Sequence, residues 1–206
     1  MRAMPRPRSL TTSQLAAAAL TVIDREGLHA LTMRAVAAEL GASTMGLYRY
    51  VDGRDQLEAL VVELVLAGVD TRPPGDDTPW RDTITTLAER VRVAVSAHPA
   101  VVPLLMTHRH RSPSLLRWSE TALQILTAAG HTGPARVTAL RAITGYMVGV
   151  LQLQHLGPLA GPGTKVIAAQ SDFPLMASTA RDAAAVTPEA EFGAGLTALL
   201  NGLSPG

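Results

Sequence analysis

The sequence predicts an all-α protein, with a small N-terminal helical unit and a larger C-terminal helical half. Three observations carry that prediction. Ala and Leu dominate the chain, and both favour helix. β-branched residues never gather into the short alternating runs that mark strands. Cap residues, prolines and glycines punctuate the chain at helical intervals. The 206 residues are enough for one medium or two small domains, and at 47% hydrophobic they can bury a core. Aromatics are only 3%, so Ala, Leu and Val must fill it.

Composition also excludes. The chain holds no cysteine, which removes disulfides, zinc fingers and thiol catalysis. The start MRAMPRPRSL is basic but lacks the apolar core of a secretory signal. No apolar run reaches the ~18 residues of a membrane span, and Ala142 to Leu151, the most apolar stretch, is too short. The expectation is a cytoplasmic protein with no membrane partner. Net charge is +1, so any nucleic-acid footprint must be local. Lys165 is the only lysine; the other basic residues are arginines.

Residues 1–9 read as a flexible basic arm carrying Arg2, Arg6 and Arg8. Thr11 with Gln14 forms a capping box, with Leu10 and Leu15 placed for a hydrophobic staple. That helix stops at Gly27. Thr32 caps a second helix, where Met33, Val36, Ala37 and Leu40 follow the amphipathic spacing, and Gly41 ends it. Ser43 caps a third, read over 44–51. A fourth runs over 54–69 after Asp52-Gly53. TRPPGDDTP, residues 71–79, is the clearest boundary. Beyond it, Thr78-Pro79 opens a helix to Ala97, and a short apolar helix spans 100–106. Ser112-Pro113 opens one ending near Gly130, and Gly133-Pro134 a longer one to Leu156. Residues 157–164 read as loop, with final helices near 173–185 and 188–203. The total is nine to ten helices, with no tandem repeat.

The unit from Thr32 to Val51 has the grammar of a helix-turn-helix. Leu47 and Val51 share one side of its second helix and can pack on Val36, Ala37 and Leu40. The opposite side carries Met45 and Arg49, flanked by Thr44, Gly46, Tyr48 and Tyr50. Packing does not account for that side, and a DNA major groove does. Arg49 can donate to a guanine edge or a phosphate, and the hydroxyls of Thr44, Tyr48 and Tyr50 to phosphate oxygens. Gly46 permits close approach. Arg34 and Arg54 sit in first turns of helices, near Thr32 and Gly53, where a cation opposes the macrodipole unless a phosphate is near. Pattern alone leaves Tyr48 and Tyr50 open to a half-buried structural role.

The combination of AAL and EGL in and after the first helix, LTMRAVAAELGAS across the second helix and turn, and LYRYV in the third resembles the DNA-binding domain of the TetR family of bacterial transcriptional repressors, over residues 10–66. PWRDTITTLAERVRVAVSAHP and EAEFGAGLTALLNGL resemble, more loosely, the start and end of the tetracycline-repressor-like C-terminal half. The resemblance implies a homodimer that reads a palindromic DNA operator, with Thr32, Arg34, Thr44, Met45, Gly46, Tyr48, Arg49, Tyr50 and Arg54 facing DNA. Met45 and Gly46 depart from the polar residues common there, so base preference does not carry over. It implies domains at 10–53 (helix-turn-helix), 54–70 (connecting helix) and 71–206 (ligand binding and dimerisation). It also implies a connecting helix that couples the two ends.

Phe192, Leu196, Leu199 and Leu203 form a stripe suited to a dimer seam or, equally, to an intramolecular core. Gly145 and Gly149, four apart, would let helix backbones approach. For a small-molecule inducer, apolar or aromatic, the candidate lining is Leu104, Leu105, Met106, Trp118, Leu123, Tyr146, Met147, Leu151 and Phe173, with His108, Gln152 and His155 as polar handles. His108 and His110 lack a third metal ligand nearby, and no acid lies between Tyr146 and His155, so neither a metal nor a metal-chelated drug is expected. No cofactor and no catalytic residue are expected. A small all-α enzyme is the competing class, and the chain shows no G-x-S-x-G, H-E-x-x-H or P-loop. Activation instead of repression, or action without a ligand, is not separated by sequence.

Overall fold

The computed structural model describes residues 10–75, 77–153, 159 and 161–204. The arm at 1–9 and His155 lie outside the described residues. Within these residues there are eleven α-helices and two short 3-10 turns, with no strand. The N-terminal unit comprises α1 (Thr12–Glu26), a 3-10 turn (Leu28–Ala30), α2 (Met33–Glu39) and α3 (Thr44–Leu47). α4 (Arg54–Leu66) leads into α5 (Trp80–Ser96), a 3-10 turn (Pro99–Val101), α6 (Val102–His108), α7 (Pro113–Ala128) and α8 (Gly133–Leu153). The chain closes with α9 (Gly163–Ala168), α10 (Pro174–Ala183) and α11 (Pro188–Gly202).

The capping chemistry sets most boundaries. Thr11 and Gln14 form the reciprocal capping box, with Gln14 N–H donating to Thr11 Oγ1 at 3.1 Å and Thr11 N–H to Gln14 Oε1 at 3.0 Å. Thr32, Ser43, Ser112 and Thr187 each accept from the backbone N–H three residues on. Gly41, at φ +60°, closes α2. Ala42 N–H donates to Ala37 O at 2.9 Å and Gly41 N–H to Ala38 O at 3.1 Å.

Several expectations are corrected. α3 ends at Leu47, because Tyr50 N–H turns back to Leu47 O at 2.9 Å and tightens the last turn. α4 ends at Leu66, with Val69 N–H on Leu66 O. α5 starts at Trp80, with Pro79 in the cap position and no side-chain cap hydrogen bond. Part of the expected loop at 157–164 forms α9, which raises the helix count to eleven.

One apolar core runs through both halves. In the head, Leu47 and Val51 pack with Val36 and Ala37, as the spacing predicted, against Leu15, Ala19, Val22 and Ile23 of α1. α4 lies between the halves. Leu57, Val61, Val62 and Leu66 are all buried, and the helix packs on α1 of the head and on α5, α6 and α7. α5, α7, α8 and α11 form the C-terminal body, and α9 packs chiefly on α10. Arg92 of α5 is buried between Glu89, at 2.6 Å, and Glu189 of α11, at 3.5 Å. At physiological scale each CH₂ buried in such a core is worth about 0.8 kcal/mol, so the shared core binds head and body together.

Candidate nucleic-acid interface and ligand cavity

The head presents the candidate DNA face through a short α3. Met45 is 76% exposed and Tyr48 48%, while Leu47 between them is fully buried. Arg49 and Arg34 are also exposed, and Thr44 and Gly46 half-buried. Gly46 has a structural reason of its own. Its N–H donates to Ser43 Oγ at 3.1 Å, and a Cβ there would stand 3.2 Å from that oxygen. Thr32 Oγ1 accepts from Ala35 N–H at 3.0 Å, so its hydroxyl serves α2.

Two of the nine candidate DNA residues are placed differently. Tyr50 is half-buried and packs against the core. Arg54 turns back into the protein: Nε donates to Glu58 Oε1 at 2.6 Å and Nη2 to Leu28 O at 3.3 Å. Its side chain is nonetheless 45% exposed.

Arg54 belongs instead to a polar track along α4. Glu58 Oε2 lies 3.0 Å from Nε2 of His108, which is buried at the end of α6. Asp55 pairs with Arg111. Glu63 receives three hydrogen bonds at the start of α7, from Ser112 Oγ at 2.6 Å, Ser114 Oγ at 2.7 Å and Ser114 N–H at 3.1 Å. Burial pushes the Glu63 carboxyl up. The hydrogen bonds from Ser112 and Ser114, with Arg117 nearby, outweigh that and hold it below the usual carboxylate range.

The C-terminal half contains a cavity of about 560 Å³ between α4, α5, α6, α7 and α8. Of the expected lining it contains Leu105, Met106, Trp118, Met147 and Leu151. Trp118 is held in the wall by its Nε1–H, which donates to Leu87 O at 3.0 Å. The other candidates stand elsewhere. Leu104 is buried in the core and Leu123 is half-buried outside the cavity wall. His108 faces Glu58, Gln152 is exposed, and Phe173 is 62% exposed before α10. Tyr146 points to α11, its hydroxyl donating to Phe192 O at 2.9 Å; burial, then the charge of Glu191, raises its pKa above the ordinary value.

Sequence reasoning missed Leu66, Val91, Arg109, His110, Arg141 and Thr144 in this wall, among others. On α8 a signal existed: Leu140, Thr144, Val148 and Leu151 repeat at helical spacing. A larger hollow of about 860 Å³ borders α9, α10 and α11, but its charges balance, with Lys165 and Arg181 beside Asp182 and Glu191.

The seam candidates divide. Phe192 and Leu196 are buried inside the chain, so they belong to its own core and cannot form an external seam. Leu199 and Leu203 are half-buried. Gly145 and Gly149 lie where an added Cβ would meet nothing within the chain, and Gly145 also borders the cavity. Among the described residues no helix is long and apolar enough to cross a membrane, and no three His, Asp or Glu converge as a metal site.

Comparison with known proteins agrees with this arrangement. Residues 15–59 match "Bacterial regulatory proteins, tetR family", and residues 73–205 match "Tetracyclin repressor-like, C-terminal domain". The chain is 31% identical to the HTH-type transcriptional repressor DrrR1 of Streptomyces coeruleorubidus, over 97% of this chain and 78% of that one. It is 26% identical to the tetracycline repressor protein class A from transposon 1721 of Escherichia coli, over 91% of this chain and 87% of that one. A solved structure of a possible TetR family regulator from Streptomyces coelicolor A3(2) superposes with a TM-score of 0.83 at 26% identity, covering 93% of this chain and 98% of that chain. With a helix-turn-helix head, a helical body and both family matches in place, the chain belongs to the TetR family of transcriptional regulators, a family of DNA-binding proteins and not of enzymes.

Proposed function

We propose that the protein is a cytoplasmic homodimeric repressor that binds a palindromic operator and leaves it when a small molecule enters the cavity of its C-terminal half. The observation that carries this reading is the α3 surface. Met45 and Tyr48 stand exposed with Arg49 on either side of a fully buried Leu47, a costly display that a DNA groove repays. Arg49 reads a base edge or phosphate, and Tyr48 donates to a phosphate. Thr44, Met45 and Gly46 approach the groove, and Arg34 and Thr32 flank the backbone. Tyr50 and Arg54 support the head from behind.

Residues 10–53 form the DNA-binding unit, 54–70 the connector and 71–206 the ligand-binding and dimerisation unit. Gly145, Gly149, Leu199 and Leu203 are the remaining seam candidates. A dimer sets two α3 helices about one DNA turn, ~34–36 Å, apart. The repressor names of the relatives, one of them named for tetracycline, support repression and a ligand.

The test is fluorescence anisotropy on the DNA upstream of the protein's own gene, at two salt concentrations, against a random duplex. The expected result is tight binding with one dimer per site, preference over the random duplex, and weakening with salt. Arg49→Ala is expected to lose about tenfold or more, the scale of one charged hydrogen bond, and Tyr48→Phe less. If neither this duplex nor any genome-selected fragment outcompetes random DNA, the reading fails.

A further inference from the structure

The charge on the cavity wall points to the class of ligand, an inference that rests on the cavity being the inducer site. Arg109, His110 and Arg141 line it, and no Asp or Glu does. Neither arginine joins any ion pair among the described residues. Arg109 caps the C-terminal end of α6, and among the described residues its side chain donates only to Met106 O. Arg141 comes from α8, so two different helices bring guanidinium groups to one apolar hollow.

Arg109, His110 and Arg141 are exposed, so they stand where the cavity opens to solvent, and a neutral apolar ligand gains nothing from them. A carboxylate does gain, because the planar guanidinium fork matches its two oxygens. The rest of the wall suits an aromatic body. Trp118 is fixed in place, and Met106 and Met147 offer polarisable sulfur to ring edges. About 560 Å³ falls within the usual range for a small-molecule site. A metal-bridged chelate is disfavoured by the wall, which carries no carboxylate to share the ion.

We propose that the cavity takes an aromatic carboxylate, its rings against Trp118 and Met147 and its anionic group at Arg109 and Arg141. The probes are anthracene-2-carboxylate, its neutral amide and the corresponding aminomethyl compound, titrated by calorimetry into the full-length protein. The expected order is acid, then amide, then amine, with the acid at least about tenfold tighter than the amide, the scale of a hydrogen bond to a charged group. Arg141→Gln and Arg109→Gln should each erase most of that difference, and thermal melts close to the parent's report that the variants are folded.

Equal affinity for acid and amide, an unchanged preference in both variants, or no binding of any probe because a second copy closes the cavity would each overturn the proposal. Operator anisotropy run on the same protein separates the two readings. Operator binding without acid preference sinks the ligand class alone. Acid preference without any operator binding sinks the repressor.

Discussion

Glu63 shows how a single side chain can report on the docking of α4. Its carboxylate closes the start of α7 with bonds from Ser112 and Ser114, where free N–H groups and the helix dipole favour negative charge. Its folded-state pKa lies below the ordinary 4.5. Its stabilising contribution is therefore complete above the unfolded-state value and is lost as pH falls through the depressed folded-state value. Glu63→Gln is expected to lower stability at pH 7 by about 1–2 kcal/mol, on the scale of charge-assisted hydrogen bonds. The gap to the parent should shrink once pH drops below about 4. Paired denaturant melts at pH 7 and pH 3.5 measure this, and an unchanged gap would remove the carboxylate from the explanation. Nothing in the sequence pairs Glu63 with residues 49 and 51 positions away. Cap residues such as Thr11 and Ser43 were legible because their partners lie three residues on. The contact of Arg54 with Leu28 O was hidden for the same reason, since that oxygen sits 26 residues back.

Among the elements, local grammar was legible and lateral packing less so. Cap, glycine and proline signals located ten of the eleven helices. α9 was missed because its six residues carry no side-chain cap and follow a Gly- and Pro-rich run. The α11 stripe was visible, yet periodicity cannot say which neighbour it meets. Phe192 and Leu196 face the chain's own α5 and α8. The α8–α11 contact depends on Gly195, which leaves room for the Tyr146 ring. A Cβ at Gly195 would stand 2.8 Å from Tyr146 Cζ and 2.9 Å from Cε2. Gly195→Ala is expected to destabilise by about 1–3 kcal/mol through overpacking, against the general helix preference for Ala. In a Tyr146→Leu background the same change should be neutral or slightly stabilising. A thermal-melt cycle over the four proteins tests it, and an equal penalty in both backgrounds would place the cause elsewhere.

For the whole molecule the question is how a cavity in the body reaches α3. Leu66, at the C-terminal end of α4, lines the cavity. At its other end Arg54 holds Leu28 O of the head and Glu58, which holds His108 of α6. A ligand acts only through unequal affinity for two arrangements, and α4 is the element that reaches from the cavity to the head. Arg54 discriminates two accounts of this path. If it binds a phosphate, Arg54→Met weakens the operator complex and reduces the salt slope by about 0.9 per subunit, about 1.8 for the dimer. If it ties α4 to the head, operator affinity and salt slope stay near the parent values, and the effect appears in coupling. Anthracene-2-carboxylate would then still bind, but would weaken operator binding severalfold less than in the parent, within the about 0.5–2 kcal/mol seen for residues that touch neither ligand. Reciprocity adds a second reading of the same quantity, because operator DNA must weaken carboxylate binding by the same reduced factor. We expect the coupling outcome, since the guanidinium is already held on both sides. A parent-like coupling factor with a diminished salt slope would return Arg54 to the DNA face.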